Sequence, residues 1–216
     1  MRAPGQNSAW RSHRSSSFPL DERGRRYQGM MIPVHAADEV PDHRTPPLVI
    51  RPAHPDEYTA IGDLVVAAYR AGGHLAEDDD YGVHLADVAG RADEHPVLVA
   101  EREGRIVGSV TICPPGTSHS KDARADELEF RYLGVAEQAW GTGVGEALVG
   151  ACDDWAREVG ATALVLSAIA WNAAAMRLYQ RLGFSREPDR DREPAPGIVL
   201  QVWRREVGGL KGPSAP

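Results

Sequence analysis

Between Glu137 and Val149 the chain reads EQAWGTGVGEALV, with Gly141, Gly143 and Gly145 at every second position directly ahead of a helix-forming run. Glycine inside an element costs roughly 1 kcal/mol relative to alanine, so such a cluster asks for a reason beyond propensity. A glycine turn that enters a helix presents unpaired backbone N–H groups and the positive end of the helix dipole, and phosphate is the natural guest. Without side chains at Gly141, Gly143 and Gly145, a pyrophosphate can come up against the main chain. Two phosphate-binding patterns do not fit. No Gly-Lys-Ser/Thr follows, as in a P-loop, and the later glycine and repeated βαβ units of a dinucleotide fold are missing. A turn that needs glycine only for tight packing is the competing explanation.

Other residues carry chemistry at meaningful spacing. Asn172 and Tyr179 lie seven apart in NAAAMRLYQRLGF, so they share one face of a helix that Asn172 caps and Gly183 ends. In ELEFRYLGV, Leu128, Phe130 and Tyr132 alternate with Glu127, Glu129 and Arg131, the pattern of a strand with two carboxylates on one face. Cys113 and Cys152 stand apart with no metal-like spacing; they read as packing residues, and neither a disulfide framework nor a metal is expected. Glu77, Asp78, Asp79 and Asp80 follow one another in an acidic loop beside His74, Tyr81 and His84; a solvated loop and a wall for a cationic ligand both fit.

These residues need a scaffold. The chain has 216 residues, 42% of them hydrophobic and 25% charged, the composition of a globular protein, and its net charge of −7 argues against a general nucleic-acid binder. No apolar run approaches the roughly 20 residues of a membrane span, and the first thirty residues lack a signal-peptide core, so a cytoplasmic location is expected. Residues 1–47, rich in Arg, Ser, Gly and Pro, are expected to be disordered, with Met30 or Met31 an alternative start; 48–206 form one domain and 207–216 a flexible tail. Within the domain, LVIRPA reads as a strand, DEYTAIGDLVVAAYRAG as an amphipathic helix ended by Gly72 and Gly73, and Val83 to Ala89 as a short helix. PVLVAEREGRIVGSVTIC is a hairpin turning at Arg102 to Arg105. The glycine turn leads into a helix with Leu148, Cys152, Trp155 and Val159 on one side, followed by the buried strand TALVLSAIA and a last strand from Ile198 to Arg204.

The order EFRYLGV, then Gln138-x-x-Gly141-x-Gly143, then a strand, then Asn172…Tyr179…Gly183-Phe184 resembles the GCN5-related N-acetyltransferase superfamily over about residues 48–206. The resemblance implies an α/β (α+β) fold in three layers, a mixed, mostly antiparallel, twisted central sheet flanked by helices. It implies acetyl-CoA as acyl donor and transfer to a primary amine, a protein lysine or a small molecule, directly in a ternary complex. Cofactor contacts then fall on Leu133, Gly134 and Val135 for the pantetheine arm, on Gln138, Trp140, Gly141, Thr142, Gly143, Val144 and Gly145 for the pyrophosphate, and on Asn172 and Tyr179. Glu129 matches the general base, with Glu127 as alternative, and Tyr179 the acid that protonates the departing thiolate. Many relatives carry Arg where this chain has Trp140, so Arg177, Arg181 or water is expected at the ribose phosphate. The acidic loop favours a cationic acceptor. A non-catalytic acyl-CoA-binding module is the competing function, and a homodimer is one assembly the fold allows.

Overall fold

The computed structural model describes residues 46–77 and 79–208; the expectations for residues 1–45, Asp78 and residues 209–216 lie outside them. The chain runs β1 (Leu48–Pro52), α1 (Tyr58–Ala71), α2 (Tyr81–Ala86), α3 (Val88–Ala92), β2 (Val97–Arg102), β3 (Arg105–Cys113), β4 (Glu127–Val135), α4 (Val144–Glu158), β5 (Ala163–Ile169), α5 (Ala173–Arg181), β6 (Ser185–Arg186), β7 (Arg192–Ala195) and β8 (Ile198–Glu206). One sheet takes all the strands in the order β1-β2-β3-β4-β5-β8-β6, with β7 also on β8. Every pair is antiparallel except β4 with β5. Helices cover both faces: α4 and α5 over a core that includes Leu128, Phe130, Leu148, Leu164 and Phe184, and α1 to α3 over a smaller one built on Ile61, Val65, Leu85, Val88 and Val99. This is the expected three-layer arrangement. No helix among the described residues is long and apolar enough to cross a membrane.

Local departures from the sequence reading have physical causes. The segment read as one helix around Val83 to Ala89 is two helices, because Asp87 leaves helical geometry (ψ 69°) and its side chain accepts from the Gly90 amide to start α3. The last strand is longer than expected and gathers β6 and β7, two short runs without apolar alternation.

The most consequential departure is in β4. Tyr132 has φ +56°, an uncommon value for a residue with a side chain, and the β3 register shifts between Ser109 and Thr111. The resulting bulge breaks the alternation. Leu128 and Phe130 face α4 and α5 as expected, but Tyr132 joins the core on the opposite face with α1, where the Arg131 guanidinium lies 5.3 Å from its ring. Ahead of the bulge β4 has already left its parallel neighbour. The β4–β5 ladder pairs only Glu127, Leu128 and Glu129 with Ala163, Leu164 and Val165, so a wedge opens between residues 130–135 and 166–169.

Candidate active site

The glycine turn stands at the end of β4, at the wide end of this wedge. Trp140 folds its indole back so that Nε1 donates to the Val135 carbonyl at 2.8 Å, and the Thr142 hydroxyl donates to the Ala139 carbonyl at 2.8 Å. Gly141 and Gly143 have φ of +73° and +83°, and a Cβ on either would meet nothing within 4 Å. Their glycine is therefore needed for backbone conformation and leaves open space in front of the turn. Gly143 is also the cap of α4 and brings no side chain to satisfy the first turn. Among the described residues no protein acceptor takes the amides of Gly141, Gly143, Val144, Gly145 or Glu146. Five unpaired donors at a helix N-terminus form an anion cradle.

Not every expected contact is a side-chain contact. The Val144 side chain is buried in the core, so only its amide faces the turn. A Cβ on Gly145 would stand 3.2 Å from Leu178 Cδ2, and one on Gly134 3.2 Å from Val65. Both glycines let a neighbouring helix approach closely, α5 and α1 respectively, so the packing explanation holds for Gly145. Leu133 packs on the larger core, and Gln138 is exposed.

A cation that sequence reasoning missed reaches the turn. Arg102, at the end of β2, donates from Nη1 to the Thr142 hydroxyl at 3.1 Å and from Nη2 to the Thr142 carbonyl at 3.4 Å. Of the cations proposed from sequence, Arg181 pairs with Glu146 at 3.4 Å, and Arg177 is exposed.

Tyr179 is buried on α5, its ring 6.1 Å from that of Phe130, the first β4 residue past the ladder, and 5.8 Å from that of Phe184. Burial pushes its phenol well above the ordinary value, and among the described residues no protein group bonds its hydroxyl. A phenol that keeps its proton and has no internal partner is equipped to donate. Asn172 caps α5, its Oδ1 accepting from the Ala175 amide at 3.0 Å.

Glu129 is fully buried and heavily engaged. Its Oε2 accepts from the Lys121 amide at 2.7 Å, the Asp122 amide at 2.9 Å and the Ser120 hydroxyl at 3.2 Å, while Arg131 Nη1 lies 3.3 Å from Oε1. Glu127 is more fully committed: Arg190 and Arg204 bond its Oε1, and Arg190 and the Arg124 amide its Oε2. These donors, two guanidiniums among them, take up both oxygens of its carboxylate. On the same side of the sheet, Tyr69 is half-buried, with its phenol raised by desolvation and by Tyr81, Tyr179 and Tyr132, an effect that Arg131 opposes. Arg91 covers the Tyr132 ring at 4.6 Å. These aromatic and cationic groups border the wedge opposite α5; Tyr132 and Arg131 escaped notice because the bulge that gathers them has no signature in alternating residues. Glu77, Asp79 and Asp80 line a shallow groove with Asp63 and Arg70 on the solvent side of α1. Both thiols are buried and pushed up by it, as packing residues are.

The fold that carries this cradle has counterparts among known proteins. The Acetyltransferase (GNAT) family model matches residues 54–184. The chain belongs to this family. Salmonella typhimurium yncA, solved with its cofactor acetyl-CoA, is 25% identical and aligns over 79% of this chain and 98% of its own with a TM-score of 0.54. A GCN5-related N-acetyltransferase from Kribbella flavida is 27% identical over 74% of this chain and 97% of its own, with a TM-score of 0.55. Among curated proteins, a mycothiol acetyltransferase of Cellulomonas flavigena is 36% identical over 91 residues, 41% of this chain and 26% of that protein. Human N-acetyltransferase 8B is 34% identical over 109 residues, 50% of this chain and 43% of that protein. The chain thus spans less than half the length of these curated relatives.

Proposed function

We propose that this chain transfers the acetyl group of acetyl-CoA to a primary amine by direct attack in a ternary complex. The observation that carries the reading is the set of unpaired amides, that of Gly141 and those of Gly143 to Glu146, at the wide end of the β4–β5 wedge. The pyrophosphate is held there, the pantetheine arm lies along residues 133–135, and the thioester reaches the bulge at Arg131 and Tyr132. The amine approaches from the side of Tyr69 and Tyr132, its nitrogen bonds to the acetyl carbon, and the carbon–sulfur bond breaks. Tyr179 gives its proton to the leaving thiolate and is reprotonated from solvent, to which the new amide nitrogen loses its extra proton. Glu129 holds the loop after β3 and the Arg131 guanidinium, and does not itself meet the amine. A protein without a dedicated base acts on the neutral fraction of its acceptor, so the rate rises with pH towards the pKa of the amine.

The test is release of free thiol from acetyl-CoA across a panel of small amines and lysine peptides, with Tyr179→Phe alongside wild type. Turnover on at least one amine, with kcat lowered in the variant and coenzyme affinity kept, supports the assignment. Tight coenzyme binding without turnover on any amine identifies an acyl-CoA-binding module instead.

A further inference from the structure

Apart from the cradle, one cluster of metal-binding side chains stands out. His95 follows α3 and is fully buried; His119 comes from the loop between β3 and β4. Their ring nitrogens, Nε2 of His95 and Nδ1 of His119, face each other at 2.8 Å, with the planes nearly perpendicular. The Ser118 hydroxyl sits at the same point, 2.8 Å from His119 Nδ1 and 2.7 Å from Glu94 Oε2, to which it donates. The Glu94 carboxylate closes the group, with the ligand atoms of Glu94, His95 and His119 all within 4.8 Å of one another. No sequence spacing announces this group, because 24 residues separate the two histidines.

We propose that Glu94, His95 and His119 form a binding site for one divalent transition metal ion, of the zinc class, that ties the β3–β4 loop to the start of β2. Two imidazoles and a carboxylate leaving a fourth position for water are a common zinc donor set, and imidazole selects such ions over magnesium or calcium. Nitrogen ligands of a tetrahedral zinc stand about 3.3 Å apart, so the two rings need to separate by only about half an ångström. Glu94 is exposed and swings in from the surface. On binding, whichever ring carries the proton between the two nitrogens shifts it to its other ring nitrogen, and the metal takes its place between two imidazoles that both stay neutral. Both imidazoles are held neutral: burial, then each other's charge and that of Arg91, lower His95, while burial, Arg131, Arg91 and Lys121 lower His119. The nearby cations also oppose a dication, and His95 Nδ1 is buried with no partner to orient the ring; both limit the affinity without removing the donors. The structural effect lies in the loop, whose 120–122 stretch holds Glu129.

The experiment uses the full chain, stripped with a chelator and titrated with Co²⁺ by absorption and with Zn²⁺ by calorimetry. One tight equivalent with a tetrahedral cobalt spectrum is expected, together with a Zn²⁺-dependent rise in Tm. His119→Gln abolishes the spectrum. Glu94→Gln, at an exposed position that leaves the fold intact, weakens binding by about tenfold or more. The chain has 8 histidines, so weak background binding is set by the His119→Gln protein. If wild type binds no better than that background, or binds tightly but equally in Glu94→Gln and His119→Gln, the site does not exist and the two imidazoles simply share a proton.

Discussion

Arg102 and Thr142 lie 40 residues apart, yet the Arg102 guanidinium holds both the hydroxyl and the carbonyl of Thr142. The link braces the glycine turn against the β2–β3 hairpin and sets a positive charge beside amides that await an anion. It also offsets the arginine that the turn itself lacks at Trp140. Arg102→Ala is expected to raise the acetyl-CoA Kd by roughly 1–2 kcal/mol, about 5- to 30-fold. The effect should shrink at high salt, because the arginine is partly exposed. Arg181→Ala, which loses only an exposed pair with Glu146, should change affinity little. Fluorescence or calorimetric titration of the three proteins at two salt concentrations checks the order.

The glycines divide by role, and substitution should separate them. Gly143→Ala costs about 1 kcal/mol of backbone strain at φ +83°, and Gly143→Val in addition fills the space in front of the amides. The valine variant should lose coenzyme affinity far beyond its loss of Tm. Gly145→Ala should do the reverse, since its new methyl presses on Leu178 Cδ2 at 3.2 Å and displaces that side chain by a few tenths of an ångström where α4 meets α5, while the space in front of the amides stays open. Paired Tm and Kd measurements decide, and equal ratios across the variants would mean that one packing role covers all.

Much of this was legible before any coordinates. The turn, the helix it enters, the Asn172 cap and the Tyr179 face follow from local rules, namely glycine's left-handed freedom, helical spacing and the capping preference of asparagine. What was not legible depends on tertiary contact. Nothing local marks Tyr132 as the residue of a β-bulge, and so nothing announced that it would leave the side of Phe130. Gly145 is indistinguishable in sequence from Gly141 and Gly143 until Leu178 is placed against it. Arg102 looked like half of a hairpin turn, and its partner is 40 residues away. Glu129 and Glu127 were equivalent as strand carboxylates; only the amides of Lys121 and Asp122 and the guanidiniums of Arg190 and Arg204 tell them apart.

Glu129→Gln tests the difference between a base and an anchor. A general base accounts for about 10² to 10⁴ in rate, and its loss becomes unimportant once the pH is high enough to neutralise the amine without help. An anchor does not become redundant in this way. With three donors on Oε2, glutamine either turns its amide nitrogen towards them or offers a weaker, uncharged acceptor, and the loop at Ser120 to Asp122 loosens. The expected outcome is a lower Tm and a drop in kcat/KM of about 10²-fold that stays constant as the pH rises. Recovery at high pH, with Tm unchanged, would return Glu129 to proton transfer.

Glu127 sets the acid limit of stability. Burial alone would raise its pKa, but hydrogen bonds from Arg190, the Arg124 amide and Arg204 outweigh burial and hold it below the ordinary 4.5. A carboxylate whose pKa is depressed on folding binds protons more tightly in the unfolded chain. Its contribution is therefore complete above the unfolded value and disappears as the pH falls through the lowered, folded one. Glu127→Gln leaves Arg190 and Arg204 facing each other over an uncharged amide, a loss of about 3 kcal/mol by analogy with broken buried pairs. In a domain of this size that corresponds to a Tm roughly 6–12 °C lower at pH 7. The gap between variant and wild type should then begin to narrow as the pH drops below the ordinary 4.5 and close as it falls through the lowered, folded value, where the native carboxyl is itself protonated and the two proteins become alike. Salt should change the gap little, since the carboxylate is buried and mobile ions do not reach it. A gap that persists unchanged in acid would show that the loss came from packing of the amide, and that the ion pairs of Glu127 with Arg190 and Arg204 add nothing to stability.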